Sequence, residues 1–318
     1  MKARSKPQPN TGALEAGFDL PVRLVGMGPG PVAAWMHRGL DATTFHCAAG
    51  DQACFVKQYG PEDIAADAFT ATRDASLQAA ELGIAPRLLF SDEEQRILAF
   101  EDLSASHVAA LRPWFDDPAN VCSVRALMQR WHAAGIAGRD CDWIAGLSDH
   151  RIRIEARALT TGTPEAALVP AWDRIADLVT LIADRLAEPV AAPRPLHGEL
   201  MISNVLRPLS AEGRVFLCDF DHSVNGDPLR DMAALWLEVS GVEDDAEQFA
   251  DGVPGNGSQL MLWAIAEDLG WGFSAWEAHF DGRDPDVEYF KYARFRLNRA
   301  LMNAVRTGLQ PIPAASAW

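Results

Sequence analysis

The stretch 196–232, LHGELMISNVLRPLSAEGRVFLCDFDHSVNGDPLRDM, constrains this chain most, because it sets oxygen donors at spacings that suit one kind of chemistry. Glu199 follows His197 by two residues and precedes Asn204 by five. In that order a carboxylate can accept the proton of an attacking hydroxyl while an amide oxygen holds Mg²⁺. Asp219 stands where a second metal ligand belongs, just past the apolar run Val215-Phe216-Leu217-Cys218. Mg²⁺ is usually held by one or two side chains plus nucleotide phosphates, so this sparse set suits ATP·Mg better than an all-protein cage. The implied chemistry is phosphoryl transfer. Asp219 and Asp221 lie two apart, and on a strand both carboxylates would point to one face, from which either could reach a metal. Two solvated acids at a strand end are the plainer alternative. Asp227 before Pro228 reads as a helix start, with the Asp side chain as N-cap and Pro at the first helical position.

His197-Gly198-Glu199 with Asn204, then Cys218-Asp219-Phe220-Asp221, then Gly226-Asp227-Pro228-Leu229-Arg230-Asp231-Met232-Ala233 together resemble the aminoglycoside phosphotransferase and choline kinase family. Its usual pattern is H-G-D-x-x-x-x-N, a strand ending [IL]-D-[WF]-[ED], and G-D-P-x-x-D-[LM]-A. The resemblance implies an α+β fold of the bilobed protein-kinase-like kind, with an N-terminal antiparallel β-sheet lobe and a mostly helical C-terminal lobe. It also implies transfer of the ATP γ-phosphoryl group to the hydroxyl of a small molecule. Glu199 would then be the general base and His197 the support of its loop. Asn204 and Asp219 would bind Mg²⁺, with Asp221 a further metal candidate or a wall of the pocket, and Asp231 would brace the catalytic loop. One position departs from the pattern. Glu199 replaces Asp and lengthens the arm by one methylene, and a misplacement of about 1 Å can cost roughly a hundredfold in rate. A nucleotide-binding pseudokinase with a regulatory role is therefore the rival reading.

Upstream, residues 44–48 and 53–59 read as strands joined by the turn Ala49-Gly50-Asp51-Gln52. This puts Lys57 on a third strand, where its ammonium would neutralise the α- and β-phosphates of ATP; a solvated edge lysine is the ordinary alternative. Gly39 opens the turn that precedes these strands and is a candidate nucleotide contact. Residues 64–82 carry a helical pattern ending at Gly83, and the resemblance puts the acid that pairs with the lysine near Asp74. Residues 96–103 read as a strand running into the lobe connection, where Phe100 and the neighbouring backbone would meet adenine. The run Gly26-Met27-Gly28-Pro29-Gly30-Pro31 is a poor phosphate loop, because two prolines remove N–H donors and no Gly-Lys-[Ser/Thr] ending follows. It reads instead as a turn into a short helix over 32–37. Trp172, Ile175, Leu178, Val179, Ile182 and Leu186 mark an amphipathic helix ahead of the catalytic loop, and His132 reads as a core histidine. The expected divisions are a flexible segment over 1–20, a nucleotide-binding lobe over 21–102 and a catalytic and substrate-binding lobe over 103–318.

A chain of 318 residues with 48% apolar content can bury two lobes. It contains no apolar run of about eighteen residues, and the basic start Met1-Lys2-Ala3-Arg4 lacks a secretory core, so a soluble cytoplasmic protein without a membrane partner is expected. Five cysteines without C-x-x-C spacing read as free thiols. A formal charge of −16 argues against a nucleic-acid partner, which needs a basic footprint. Much of the excess acid lies after the catalytic strand, in the part where the family binds its substrate, together with Trp236, Trp263, Trp271 and Trp276. A cationic amino alcohol is therefore one candidate acceptor beside aminoglycosides, sugars and thiamine-like alcohols. Solvated surface acids and core tryptophans are the alternatives.

Overall fold

The computed structural model describes residues 7–28, 32–33, 37–38, 42–61, 63–135, 139–161, 172–188, 192–240, 245–282 and 287–309. Strands β1 (Val22–Met27), β2 (Thr43–Ala49), β3 (Gln52–Gln58), β4 (Leu88–Asp92) and β5 (Ile97–Glu101) form an antiparallel sheet in the order β1-β2-β3-β5-β4. Side-chain alternation gives this sheet two unlike faces. Phe45, Cys47, Cys54 and Val56 are buried on one, where they cluster with Leu14 of α1 (Thr11–Phe18). Thr44, His46, Phe55 and Lys57 lie on the other and line a cleft. The hairpin between β2 and β3 turns at Gly50, whose φ of +58° suits a two-residue turn.

Two expectations change in this lobe. The segment 1–20 was expected to be loose, but in its described part, 7–20, Asn10 caps α1 by accepting the Ala13 N–H at 3.2 Å, and the fully buried Leu14 docks the helix on the sheet. Residues 32–37 were expected to form a short helix; instead Val32–Ala33 pairs with His37–Arg38 in one antiparallel ladder of two residue pairs. One helical turn carries the full nucleation cost for few hydrogen bonds, and local pairing avoids it. Helix α2 (Ala66–Glu81) then crosses from β3 to β4, ending before Gly83 at φ +64°.

Beyond β5 the chain is mostly helical: α3 (Pro118–His132), α4 (Trp143–Thr161), α5 (Trp172–Arg185), α6 (Leu229–Val239), α7 (Ala246–Ala250), α8 (Gly257–Asp281) and α9 (Tyr289–Arg306). Helix α8 packs against α4, α5, α6, α7 and α9, which accounts for its burial on nearly every side. Its start is fixed by a capping box in which Asn256 and Gln259 exchange hydrogen bonds. Helix α5 buries Ile175, Leu178, Val179 and Ile182, the stripe its spacing predicts. No helix among the described residues is long and apolar enough to cross a membrane. Short strands β6 (His107–Ala109), β7 (Arg194–Leu196), β8 (Val205–Pro208), β9 (Phe216–Leu217) and β10 (Val224–Gly226) form two small sheets, in the orders β9-β8-β6 and β10-β7.

Candidate active site

Two ladders bring the signature residues together. β7 pairs with β10 and β8 with β9, so the loop 197–204 between β7 and β8 meets the loop 218–223 between β9 and β10. The Cys218 N–H donates to the Asn204 carbonyl at 2.9 Å, and Ser223 Oγ donates to the Leu196 carbonyl at 2.7 Å. Gly198, at φ +83°, is where the loops touch: a Cβ there would lie 2.0 Å from the His222 carbonyl oxygen. Only glycine permits both the backbone angle and that approach.

The loop is braced from behind. Asp231 on α6 accepts the backbone N–H groups of His197 and Gly198 at 2.8 and 3.0 Å and meets His132 Nε2 at 2.9 Å. Burial works to raise the Asp231 carboxyl, but His132, His197 and the Gly198 amide hold it below the usual carboxylate range. His197 is fully buried, and burial lowers its pKa, so it is neutral. Its Nε2 donates to the Cys218 carbonyl at 2.9 Å, which leaves Nδ1 to accept the Glu199 N–H at 3.4 Å. Beneath the loop, Arg230 donates to the Gly198 carbonyl at 3.2 Å, pairs with Glu267 and stacks 3.7 Å over the Trp143 ring.

Lys57 reaches across from β3. Its ammonium lies 2.6 Å from both Asp219 Oδ1 and Asp221 Oδ2, and the Tyr59 hydroxyl donates to Asp221 Oδ2 at 2.8 Å. Burial pushes the Asp221 carboxyl up to about 6, against the pull of Lys57 and with the help of the Asp219 charge. Burial acts on Asp219 in the same sense, yet the Lys57 ammonium outweighs it and the carboxyl is lowered. The same two carboxylates overcome the burial of Lys57 and raise its pKa, so it carries its proton. Asn204 donates its side-chain Nδ2 to the Glu199 carbonyl at 2.9 Å, which leaves its Oδ1 as the acceptor. The Glu199 side chain is 10% exposed, and its Oε2 lies 3.8 Å from His222 Nε2.

Lys57, Phe100, Glu199, Asn204, Asp219 and Asp221 line one cleft of about 340 Å³ between the sheet and the helical lobe, while His197 sits behind it. Two expectations are corrected here. Asp219 and Asp221 do not share one face of a strand: β9 stops at Leu217, Asp219 takes a left-handed backbone at φ +72°, and Phe220–His222 forms a 3₁₀ turn that gathers the carboxylates. Asp74 does not pair with Lys57; its side chain is 55% exposed and binds Arg73 at 2.7 Å. The buried face of α2 carries Thr72 and Ser76, two positions either side of Asp74, which is about 200° around a helix of 3.6 residues per turn. For the tryptophans the plainer reading holds at three positions: Trp236, Trp263 and Trp276 belong to the helical core, while Trp271 is partly exposed, edge-on to His222 at 5.4 Å. Gly39 lies outside the described residues. Sequence reasoning missed Tyr59, although it lies two residues after Lys57 and so shares its strand face. It also missed His222 and the pair of His46 Nδ1 with Asp102 Oδ2 at 2.7 Å on the cleft wall.

A family model described as the phosphotransferase enzyme family matches residues 36–281. The chain belongs to that family. Among solved structures, this phosphotransferase-family chain is similar to a choline/ethanolamine kinase family protein from Mesorhizobium loti, at 17% identity and a TM-score of 0.68 over 92% of this chain and 90% of that one. It is also similar to the choline kinase LicA from Streptococcus pneumoniae, at 16% identity and a TM-score of 0.67 over 89% of this chain and 95% of that one. A thermostable mutant of aminoglycoside phosphotransferase APH(4)-Ia aligns at 16% identity and a TM-score of 0.64 over 93% of this chain and 98% of that one. LicA has been crystallised with AMP, and an APH(4)-Ia mutant with AMP-PNP and hygromycin B. These likenesses establish the bilobed kinase-like fold. Among curated proteins no sequence match is found.

Proposed function

We propose that this chain transfers the γ-phosphoryl group of ATP to a hydroxyl of a small molecule. The observation that carries the reading is the convergence of Lys57 from the sheet with Glu199, Asn204 and Asp219 from the helical lobe on one cleft. Nucleotides bound to LicA and to APH(4)-Ia, which share this fold, support the choice of ATP.

The donor set fits Mg²⁺. The Asp219 carboxylate and the Asn204 amide oxygen are hard ligands on the same cleft, and the Lys57 ammonium already compensates the acidic pair as a cation. Among the described residues no cluster of three or more His, Cys, Asp or Glu side chains could cage a metal, so the remaining positions fall to phosphate and water. When bound, Mg²⁺ would neutralise charge on the phosphates. Lys57 holds a proton and supplies a fixed positive charge to the phosphate side of the cleft. Glu199 accepts the proton of the attacking hydroxyl, and Asp231 and His197 fix the loop that carries it. Asp102 and His46 bound the far end, where Phe55 and Phe100 offer apolar surface to a base.

The test is calorimetry of Mg·ATP binding alongside turnover over choline, ethanolamine, thiamine, aminoglycosides and amino sugars. Phosphorylated product from at least one alcohol is the expected result. Tight Mg·ATP binding with no transfer across the panel would favour the regulatory pseudokinase, whose support is the glutamate at position 199.

A further inference from the structure

In kinase-type sites the strand lysine is commonly held by an acid on the helix that follows. Helix α2 offers none. Its three acids, Asp67, Asp74 and Glu81, are exposed, and its buried face carries Phe69, Thr72, Ala75, Ser76 and Ala79. Lys57 is fixed all the same, by two carboxylates that are not equivalent. The Asp219 side chain is 31% exposed, whereas that of Asp221 is 10% exposed and is gripped from two further sides. The Tyr59 hydroxyl donates to the same Oδ2 that Lys57 meets, and Thr72 Oγ1 donates to the Asp221 carbonyl at 3.4 Å. Tyr59 is in turn immobilised: it is 3% exposed, its ring stands edge-on to Phe69 at 5.9 Å, and its N–H donates to the Arg96 carbonyl at 3.0 Å.

We propose that Asp221, clamped by Tyr59, is the residue that positions Lys57 in place of the missing helix acid, and that Asp219 alone of the two acids is left for the metal. The inference rests on the phosphotransferase reading and deepens it by dividing the labour between the two carboxylates. Asp221 Oδ2 is taken up by an ammonium and a phenol and its side chain is largely buried, whereas Asp219, which meets the same ammonium through Oδ1, stands more open to the cleft. The lysine is then set by β3 and the turn over 220–222. Helix α2 contributes the Thr72 hydroxyl and the Phe69 ring against Tyr59 but no charge, so displacement of α2 does not break an ion pair to the lysine as it would with a helix acid.

Two measurements on the full chain test this: Mg·ATP affinity by calorimetry, and Mn²⁺ affinity of the ADP-loaded protein by electron paramagnetic resonance. Asp221→Asn and Tyr59→Phe should each weaken Mg·ATP about tenfold, the order of one hydrogen bond to a charged group. Because both act through the ammonium, neither should matter by more than about twofold in a Lys57→Met background. Mn²⁺ affinity should fall about 10–100-fold in Asp219→Asn and stay within about twofold of the parent in Asp221→Asn. Asp74→Ala should match the parent throughout. Tyr59→Phe keeps the ring and its packing, so it carries the test if Asp221→Asn fails to fold by circular dichroism. An equal loss from Asp221→Asn in both backgrounds, a Mn²⁺ loss matching that of Asp219→Asn, or parent-like affinity in Tyr59→Phe would overturn the proposal alone. A parent that binds no Mg·ATP would instead bring down the functional reading, and the proposal with it.

Discussion

At Glu199 the carboxylate sits 3.8 Å from His222 Nε2, beyond hydrogen-bond range yet within reach of an ion pair, on a loop whose backbone Asp231 fixes from behind. The brace therefore fixes the backbone from which the acid reaches, and a proton acceptor needs such a fixed origin. A general base must approach its proton within about 2.6–3.2 Å, so a site grown around glutamate seats its substrate one methylene further out than a site grown around aspartate. Glu199→Gln keeps the size and removes the base; kcat should fall by about 10²–10⁴ while Mg·ATP affinity changes little. Glu199→Asp should also lose activity, because the shorter arm withdraws from both substrate and His222. Steady-state kinetics with the best alcohol of the panel decide the matter. A strong activity created by Glu199→Asp in an inactive parent would mark a silenced kinase, and unchanged turnover in Glu199→Gln would remove Glu199 from the chemistry.

Elements explain why some of this was legible and some was not. Lys57 could be placed because strand alternation is rigid, with a period of two that leaves no freedom once the turn at Gly50 sets the register. Asp74 was misplaced because a helix rotates by about 100° per residue, so a miscount of two along α2 moves a side chain to the opposite face. The left-handed residue at Asp219, where β9 has ended and a 3₁₀ turn begins, was not legible in the sequence, in which 218–221 reads as the continuation of a strand. The start of α6 was readable from Asp227-Pro228, and Asp227 does accept the Leu229 N–H at 2.9 Å, while the Asp231 brace on that helix was implied by the resemblance. This brace also predicts a pH dependence. Burial holds the folded pKa of His197 below its ordinary 6.5, so as pH falls through 6.5 the unfolded chain takes up a proton that the folded loop refuses. The contribution of His197 to stability is complete above pH 6.5 and is lost as pH falls from there toward the lower folded value. Thermal unfolding should show a falling midpoint over that window, and His197→Gln, which keeps a donor for the Cys218 carbonyl, should flatten the fall. An equally steep fall in the variant would assign the effect to another group.

The whole molecule carries a formal charge of −16, and the question is how much of that charge an arriving acceptor can feel. The acids deepest in the helical lobe contribute little, because they are neutralised in place: Glu267 by Arg230, and Asp268 by Arg296 at 3.0 Å and Arg299 at 2.7 Å. Those pairs fix helices α6, α8 and α9 to one another. What remains is the solvated surface, whose field acts at long range and is screened over about 8 Å at physiological ionic strength. Such a field raises the local concentration of a cation before contact and leaves the chemical step untouched. A cationic acceptor should therefore show a KM that rises with salt at nearly constant kcat, while a neutral sugar alcohol should show neither change. The comparison needs both acceptors at saturating Mg·ATP, because the nucleotide is itself charged and would otherwise bring its own salt dependence into KM. If the best acceptor proves cationic and its KM ignores salt between low and physiological strength, the surface charge serves solubility, and recognition of the acceptor falls to short-range contacts within the cleft.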